Sequence, residues 1–323
     1  MIDLSKDKLP NITNGNTPKN YELCQEGDIA FADASEDTNE VAKAVEFYKL
    51  NGKAVICGLH TIHGRDNHQK TVVGYKGYAF SSMVFHHQIR RIAQGTKIYS
   101  INSKNFSECY IGIPSKEEQK KIATLLRLID ERIVTQNKII DKLQSLIKGI
   151  AQNIVRNNKP NVRLSECLEC KSSTLQESDV CEQGTYPVYG ANGIVGYLDN
   201  YNTEGEAVYI IKDGSGVGTV SYVKGKCSAT GTLNTLQAKE GYSLQYLYYL
   251  LKVFNFEPYK TGMAIPHIYF KDYGKAKFFC PSYTEQLQYA QLLSAIDNKL
   301  SIGQNILTEL TLQKQCLLRQ MFI

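Results

Sequence analysis

The sequence predicts an α+β protein of two β-rich domains, each followed by a long helix. The two helices are expected to form an antiparallel coiled coil around a pseudo-twofold axis. The first observation behind this prediction is an internal repeat: nine residues between Pro114 and Asp130 recur, identical and without a gap, 167 positions later between Pro281 and Asp297. The second is a helical stripe of apolar residues in each copy, and the third is a set of short, tyrosine-rich strand patterns ahead of it. A repeat of this length indicates two copies of one domain-plus-helix unit.

The two predicted helices begin at capping sequences. Ser115 followed by Glu118, and Ser282 followed by Glu285, have the spacing of a capping box. Behind each cap, apolar residues recur at steps of three and four for about 40 residues, or roughly 60 Å of helix. A helix of that length cannot bury its stripe against one small domain, so we expect the two helices to pair and to act as a rigid spacer. The predicted parts are a first domain, a spacer helix, a second domain and a second spacer helix over 1–113, 114–161, 162–280 and 281–323.

The two domains are predicted to be mostly β, with one helix in each. Short segments rich in Tyr, Val and Ile and bounded by Gly or Asn are typical of strands. Strands are expected at 29–32, 54–57, 78–85, 186–189, 207–212, 218–223 and 276–279, and helices at 39–48 and 243–253. The glycine-rich run from Lys212 to Gly218 has strand-like residues on both sides. That context favours a β-turn over a phosphate-binding loop, which would precede a helix.

The composition is typical of a soluble globular chain, with 42% hydrophobic and 21% charged residues in 323. The polar start from Met1 to Pro10 lacks the pattern of a signal peptide, and no stretch has the roughly 18 apolar residues of a membrane span. Nine scattered cysteines in such a chain predict reduced thiols and a cytoplasmic location. The net charge of +5 is uneven, because residues 114–161 carry 10 Lys and Arg against 5 Asp and Glu.

Neither a metal site nor a catalytic site is predicted. Five histidines fall in the first domain near Cys57, but no zinc-type spacing accompanies them. These histidines are His60, His63, His68, His86 and His87. Cys167 and Cys170 form a lone CxxC pair, which is half of a zinc site at most. Nucleophile-elbow, Walker and methyltransferase signatures do not occur in the sequence, so the chain is expected to bind rather than to catalyse.

The repeated segment resembles a conserved region of type I restriction–modification specificity (S) subunits. The stretch from Ile113 to Ala123 combines an apolar residue and Pro with a following Glu-Gln, and the helix behind it carries Ile129-Asp130. The same pattern recurs from Cys280 to Asp297. Shorter segments at 27–31, 58–61 and 189–193 are similar to elements of the family's target recognition domains. The likeness covers nearly the whole chain.

The resemblance implies a non-catalytic subunit in which each target recognition domain grips one half of a split, asymmetric DNA site. It implies double-stranded DNA, two modification (methyltransferase) subunits and restriction (motor-nuclease) subunits as partners. No cofactor is expected on this chain, while S-adenosylmethionine, ATP and Mg are expected on the partners. Spacer and subunit-docking roles are expected for Pro114, Glu118, Gln119, Leu126, Ile129, Asp130, Pro281, Glu285, Gln286, Leu293, Ile296 and Asp297.

The chain departs from the family pattern at its start. The second domain opens with Arg163-Leu164-Ser165-Glu166, and the repeat offset leaves no counterpart of this opening before the first domain. We therefore interpret the first domain as N-terminally shortened, and expect residues 1–113 alone to be less stable or less soluble than residues 162–280 alone. Two other interpretations stay open: a DNA-binding coiled-coil regulatory or structural protein outside restriction–modification, and an enzyme of unknown chemistry in the tyrosine-rich domains.

Candidate DNA contacts follow from side-chain chemistry. Lys and Arg contact phosphates, while amide, hydroxyl and guanidinium groups contact base edges. In the first domain the candidates are Lys53, His60, Arg65, Arg90, Arg91 and Lys97. In the second domain they are Asn192, Lys212, Ser215, Lys260, Thr261 and His267.

Overall fold

The computed structural model describes residues 1–12 and 20–322, and it divides into two compact units. One unit contains residues 1–137 and 305–323, and the other contains residues 138–304. Each unit therefore consists of one β-rich domain together with a part of each long helix. No helix among the described residues is both long and apolar enough to cross a membrane.

The first domain is built on a four-stranded sheet with short helices packed beside it. Its strands are β1 (Ile2–Asp3), β2 (Ile29–Ala32), β3 (Ala34–Ser35), β4 (Ala44–Lys49), β5 (Thr61–Gly64) and β6 (Tyr99–Ser100). Its helices are α1 (Lys76–Ala79), α2 (Met83–Ile92) and α3 (Ser103–Phe106). The sheet order is β1-β4-β2-β5, and β3 pairs separately with β6. Phe31 from the sheet and Phe85 and Ile89 from α2 meet in the buried core.

The first long helix, α4, spans Lys116–Asn157 and follows this domain directly. Ser115 caps it by accepting a hydrogen bond from the backbone N–H of Glu118, as the sequence predicts. The buried residues Ile140, Ile147 and Ile154 lie seven apart, which is the spacing of a coiled-coil seam.

The second domain holds two larger sheets and one two-stranded sheet. Its strands are β7 (Val162–Arg163), β8 (Leu168–Ser172), β9 (Tyr186–Gly190), β10 (Gly193–Leu198), β11 (Glu206–Ile211), β12 (Val220–Lys224), β13 (Ser228–Ala229), β14 (Leu233–Ala238) and β15 (Lys277–Phe278). Its helices are α5 (Leu164–Cys167), α6 (Leu244–Leu251) and α7 (Phe270–Tyr273), with 3-10 turns at Glu177–Asp179 and Glu257–Tyr259. The larger sheet has the order β12-β11-β14-β8, the smaller one β10-β9-β13, and β7 pairs with β15. Tyr209 and Leu233 lie in the core beneath the larger sheet.

The second long helix, α8, spans Tyr283–Met321 and starts with a complete capping box. The Ser282 hydroxyl accepts from the backbone N–H of Glu285, and the Glu285 carboxylate accepts from the backbone N–H of Ser282 at 3.1 Å. Leu293 and Leu300 are buried seven residues apart. The predicted pair of long, capped helices is therefore confirmed.

The two helices run antiparallel where they meet in the first unit. Ile122 and Leu126 near the start of α4 share one core with Leu317 and Phe322 at the end of α8. Further along α4, the Asp130 carboxylate pairs with the Lys314 ammonium at 2.5 Å. Residue numbers therefore rise along one helix as they fall along the other, which confirms the predicted antiparallel pairing.

Most predicted strands are confirmed, but two segments of the first domain were assigned wrongly. Residues 39–48 were expected to be helical, yet they contain strand β4, which lies between β1 and β2 and buries Phe47. Residues 78–85 were expected to be a strand, yet they span the end of α1 and the start of α2. The buried Glu46 carboxylate accepts from the N–H groups of Gly74 and Gly77 and so caps α1, a long-range contact that sequence patterns do not reveal.

Two further predictions concern connecting segments. In the segment 54–57, where a strand was expected, Ile56 forms an isolated bridge with Leu23 outside the named strands. The run from Lys212 to Gly218 connects β11 to β12, so the predicted glycine-rich β–β connection is confirmed.

Candidate nucleic-acid interface

A buried glutamine fastens the first long helix to the first domain. The Gln119 side chain has no exposed surface, although it lies one turn into α4. Its Oε1 accepts from the backbone N–H of Val72 at 2.9 Å, and its Nε2 donates to the carbonyl oxygens of Lys70 at 3.1 Å and Pro114 at 2.8 Å. These three hydrogen bonds fix the helix start against the segment that leads into α1.

The equivalent glutamine does the same in the second unit. Gln286 is 2% exposed, its Oε1 accepts from the backbone N–H of Ser243 at 3.0 Å, and its Nε2 donates to the carbonyl oxygen of Pro281 at 2.9 Å. Ser243 is the N-cap of α6. Both copies of the repeat therefore attach a domain helix to the long helix through the same amide.

Tyrosines add a second matched contact between domain and long helix. The Tyr78 hydroxyl donates to Asp130 at 2.8 Å, and the Tyr249 hydroxyl donates to Asp297 at 3.4 Å. Burial and the neighbouring carboxylate raise the pKa of both tyrosines, so they stay protonated as donors. The two tyrosines are 171 positions apart in the sequence, whereas their aspartate partners are 167 apart. The tyrosine match therefore does not appear when the sequence is compared at the repeat offset of 167. The matched pairs are Tyr75 with Tyr246 and Tyr78 with Tyr249.

The residues predicted for spacer and docking roles divide by exposure. Five of them are buried within their own unit: Gln119, Leu126, Ile129, Gln286 and Leu293. Because these side chains face the interior, they support the spacer and cannot be reached by a docking partner. Glu118 and Glu285 are exposed, and the partly exposed members are Pro114, Asp130, Pro281, Ile296 and Asp297.

Each domain carries the same narrow loop ahead of its long helix. In the first domain Gln94 and Ser100 close the loop with backbone hydrogen bonds of 2.9 and 2.8 Å. In the second domain Thr261 and His267 close it with bonds of 2.9 and 2.8 Å. We call these the 94–100 loop and the 261–267 loop.

A glycine at the same position of each loop permits its tight turn. Gly95 has φ +139° and Gly262 has φ +88°, in the left-handed region that favours glycine. A Cβ at either position would overlap a backbone carbonyl oxygen across the loop, that of Ile98 or that of Ile265. Both loops therefore require glycine at the same position, for the same steric reason.

The second domain brings four of its six predicted contact residues together. The backbones of Asp213 and His267 form an isolated β-bridge, and the N–H of Gly214 donates to the carbonyl oxygen of Pro266 at 3.0 Å. The β11–β12 connection therefore lies beside the 261–267 loop. The residues gathered there are Lys212, Ser215, Thr261 and His267. Lys260 borders the loop and pairs with Glu257 at 2.6 Å, while Asn192 is exposed in the β9–β10 turn.

In the first domain the predicted contacts are less concentrated. Arg65 is used internally: its guanidinium donates to both carboxylate oxygens of Asp28 and to the carbonyl oxygen of Leu23. Burial alone would raise the pKa of Asp28, but the hydrogen bonds from Arg65, the Gln25 N–H and His63 hold it below its usual value. Arg65 is thus not available as a free phosphate contact. Its exposed companions are Lys53, His60, Arg90, Arg91 and Lys97, of which Lys97 lies in the 94–100 loop.

Exposed apolar loop tips are a feature that prediction from polar chemistry missed. Ile98 is 61% exposed and Ile265 is 67% exposed, at equivalent places in the two loops, and Met263 is fully exposed beside Ile265. Apolar side chains at such tips can contact thymine methyl groups or wedge between base steps. The identity of Ile98 and Ile265 at the repeat offset was the available sequence signal.

Three side chains of types that can bind a metal ion meet in the first domain, away from any sequence motif. The sulfur atoms of Cys24 and Cys57 are 3.7 Å apart, and a ring nitrogen of His63 lies within 4.8 Å of both. Burial and the neighbouring Cys57 raise the pKa of the Cys24 thiol to about 12. Of the predicted histidine group, His63 joins these cysteines, whereas the imidazole of His60 is almost fully exposed near Asp33.

Two domains, each with a glycine-turned loop bordered by a lysine and each attached to a long capped helix, define a protein with a duplicated domain-plus-helix unit. The chain belongs to the type I restriction modification DNA specificity domain family, whose model matches residues 59–145 and 158–312. It therefore has the two target recognition domains expected of a specificity subunit.

Individual relatives agree with this assignment. The chain is 28% identical over 116 residues to the EcoprrI specificity subunit of Escherichia coli, covering 36% of this chain and 29% of that protein. It is 26% identical over 259 residues to a curated type I specificity subunit of Mycoplasma genitalium, covering 73% and 67%. The matched part is thus less than a third of the first relative's length.

Solved structures share the fold. The crystal structure of a type I S subunit from M. genitalium matches with a TM-score of 0.68 at 19% identity, covering 97% of this chain and 87% of that one. A chain from a structure of a type I system, described for complex assembly and conformational transition, matches with a TM-score of 0.56 at 15% identity, covering 95% and 84%.

Proposed function

We propose that this chain is the DNA-reading, non-catalytic subunit of a type I restriction–modification complex. Each domain reads one half of a split, asymmetric site, and the paired long helices set the gap between the halves. The observation that carries the proposal is the repetition of one reading unit: the same glycine-turned loop, the same buried glutamine and the same tyrosine contact occur once in each half of the chain.

The two loops are the proposed reading elements. Lys97 in the first loop and Lys260 beside the second supply positive charge for the phosphate backbone. Ile98 and Ile265 supply apolar contact to base edges. In the second domain, Ser215 and Thr261 add hydroxyl groups to the same surface, which can donate to or accept from bases and phosphates.

The long helices are the proposed spacer that sets the distance between the two half-sites. A helix of 42 residues, the length of α4, extends about 63 Å at 1.5 Å per residue. Seven residues inserted into both α4 and α8 preserve the coiled-coil seam and lengthen each helix by about 10.5 Å. At 3.4 Å per base pair along one strand, that insertion should widen the gap between the half-sites by about three base pairs.

The outer faces of the helices are the proposed docking surfaces for two modification (methyltransferase) subunits. Leu125 and Leu292 occupy equivalent repeat positions and are 40% and 51% exposed. Ile139 and Ile306 are likewise equivalent and are 44% and 42% exposed. Large apolar side chains kept exposed at the same positions in both copies fit two copies of one partner. Restriction (motor-nuclease) subunits would complete the complex, with S-adenosylmethionine, ATP and Mg carried by the partners and methylation directed to adenine.

The test is to co-express the full chain with its cognate modification subunit and to map methylated adenines in the host genome. We expect a two-part motif. Substitutions in the 94–100 loop should change one part only, and substitutions in the 261–267 loop the other part only. The heptad insertion described above should change the gap and leave both parts intact.

A complex without any methylation, or a contiguous motif that responds as a whole to either loop, would refute the proposal. Recovery of a DNA complex with no methyltransferase partner would instead favour a coiled-coil regulatory DNA-binding protein. As a docking control, Leu125→Glu combined with Leu292→Glu should abolish co-purification of the modification subunit. As a control, the exposed lysines Lys121→Glu and Lys299→Glu, which lie on the same two helices but not at equivalent repeat positions, should retain it.

A further inference from the structure

We propose that the first domain binds one structural Zn²⁺ ion through Cys24, Cys57 and His63. Within residues 1–12 and 20–322, these three side chains form a group whose ligand atoms lie within 4.8 Å of one another. The proposal rests on this geometry alone and does not depend on the proposed DNA-reading function.

The donor set matches zinc chemistry. Thiolate sulfur and imidazole nitrogen are the preferred ligands of structural zinc sites, whereas Mg²⁺ and Ca²⁺ prefer oxygen. Cys24 is buried and Cys57 is partly buried, so a bound ion would be shielded from solvent. Zinc carries no redox chemistry of its own, which fits a structural role.

The spacing of the two sulfur atoms also fits. Two sulfurs that each lie 2.3 Å from a tetrahedral ion are about 3.8 Å apart. The sulfurs of Cys24 and Cys57 are 3.7 Å apart, so they can take an ion between them with little movement. A disulfide would instead bring the same atoms to about 2.05 Å.

The imidazole of His63 has one of its nitrogens held by a carboxylate. Its Nε2 lies 2.9 Å from the Asp28 carboxylate, which is buried and hydrogen-bonded by Arg65. A carboxylate on one ring nitrogen fixes the ring and leaves the other nitrogen free for a metal, an arrangement common around protein zinc ions. Nδ1 of His63 is the nitrogen left for the ion.

The fourth position falls to an acidic side chain nearby. Oε2 of Glu22 lies 3.6 Å from Nδ1 of His63, on the same segment as Cys24. The other oxygen of Glu22, Oε1, accepts from the Arg65 guanidinium, so Oε2 is the oxygen that can turn toward the ion. The two thiolates neutralise the charge of Zn²⁺, while the Glu22 and Asp28 carboxylates share the positive charge of Arg65.

The ion would join three segments of the first sheet and its flanks next to a small core. Cys24 precedes β2, Cys57 follows β4, and His63 lies in β5. The core beside them contains four buried residues, Leu4, Cys24, Phe47 and Leu50. A metal that crosslinks three segments supplies stability that so few apolar side chains do not.

The experiment uses the full chain expressed in zinc-supplemented medium. We expect one equivalent of zinc after dialysis against metal-free buffer, measured by mass spectrometry of the metal. After removal of zinc with a chelator, Co²⁺ alone should restore a tetrahedral visible spectrum with a thiolate charge-transfer band in the near ultraviolet. Removing the metal should lower the melting temperature, and adding zinc should restore it.

Variants locate the site. Cys57→Ser should halve the charge-transfer band and lower zinc affinity at least tenfold, and His63→Ala should remove the tetrahedral spectrum. Cys181→Ser, at an exposed cysteine in the second domain, should leave metal content and spectra unchanged. The wild-type cobalt spectrum keeps the test valid should a variant fail to fold.

Three results would overturn the proposal. The first is a wild-type chain that retains no zinc and gives no charge-transfer band with cobalt. The second is equal zinc content in folded Cys57→Ser and wild type. The third is a Cys24–Cys57 disulfide in freshly purified, metal-free protein.

Discussion

The buried amide at the start of α4 gives the sharpest quantitative expectation. Gln119→Ala removes three hydrogen bonds made by a side chain with no exposed surface. At about 1 kcal/mol net for each, the free energy of unfolding should fall by about 3 kcal/mol. Gln286→Ala removes two such bonds in the second unit, so we expect a loss of about 2 kcal/mol.

Urea unfolding followed by circular dichroism measures the loss, and hydrogen exchange with mass spectrometry locates it. Gln119→Ala should speed amide exchange in the peptide 70–79, which loses its attachment to α4, and leave the peptide 243–251 unchanged. Gln286→Ala should do the reverse. Each variant thus serves as the control for the other unit.

Lys120→Ala provides a matched surface control on the same helix. Lys120 is exposed, so its removal should change the free energy of unfolding by no more than about 0.5 kcal/mol. If Gln119→Ala costs no more than Lys120→Ala, or if both peptides exchange faster in either variant, the glutamines do not fasten each domain separately and the reasoning is wrong.

Three other predictions follow from the described contacts. Gly262→Ala should weaken DNA binding by roughly tenfold, or about 1.4 kcal/mol, because a Cβ overlaps the Ile265 carbonyl oxygen. Gly225→Ala, also at a residue with positive φ but with open space around it, should leave DNA binding unchanged. Equal DNA affinities of the Gly262→Ala and Gly225→Ala variants, measured by fluorescence anisotropy, would refute this prediction. Lys212→Ala and Lys260→Ala should each lower the slope of log affinity against log salt by about 0.9, whereas Lys224→Ala, at the far end of the β11–β12 hairpin, should leave it unchanged. Partial burial would raise the pKa of Asp66, but hydrogen bonds from the Thr71 hydroxyl and from the N–H groups of Thr71 and His68 lower it to about 2. Its stabilising effect is therefore complete above about pH 4 and is lost as pH falls through 2. Asp66→Asn should cost about 1–2 kcal/mol at pH 7 in urea unfolding and much less at pH 2; an equal cost at both would exclude this origin.

The two wrong secondary-structure assignments in the first domain show the limit of prediction from local sequence patterns. Residues 39–48 contain charged and amide side chains that favour a helix locally, but β4 forms because it pairs with two strands at once. Residues 78–85 carry aromatic side chains typical of strands, but Glu46 and Ser82 cap helices there. In both cases a partner distant in sequence outweighs a modest local preference.

The contact residues show the same limit. Lys97 lies in the first repeated loop and Lys260 borders the second, and their contact with DNA stays a prediction. Arg65 has the chemistry of a phosphate contact, yet strand pairing places Asp28 next to it and a buried salt bridge results. Side-chain type indicates what a residue can do, but its neighbours decide whether it stays available.

The sequence by itself determined the duplication, the two long capped helices and the β-rich character of the domains, because these depend on residues close together in the chain. Tertiary structure alone decided which residues meet: the tyrosine contacts displaced by four positions from the repeat, the internal use of Arg65, and the meeting of Cys24, Cys57 and His63. The pairing of separate strands creates these neighbourhoods, and the distances within them bear no relation to spacing along the chain.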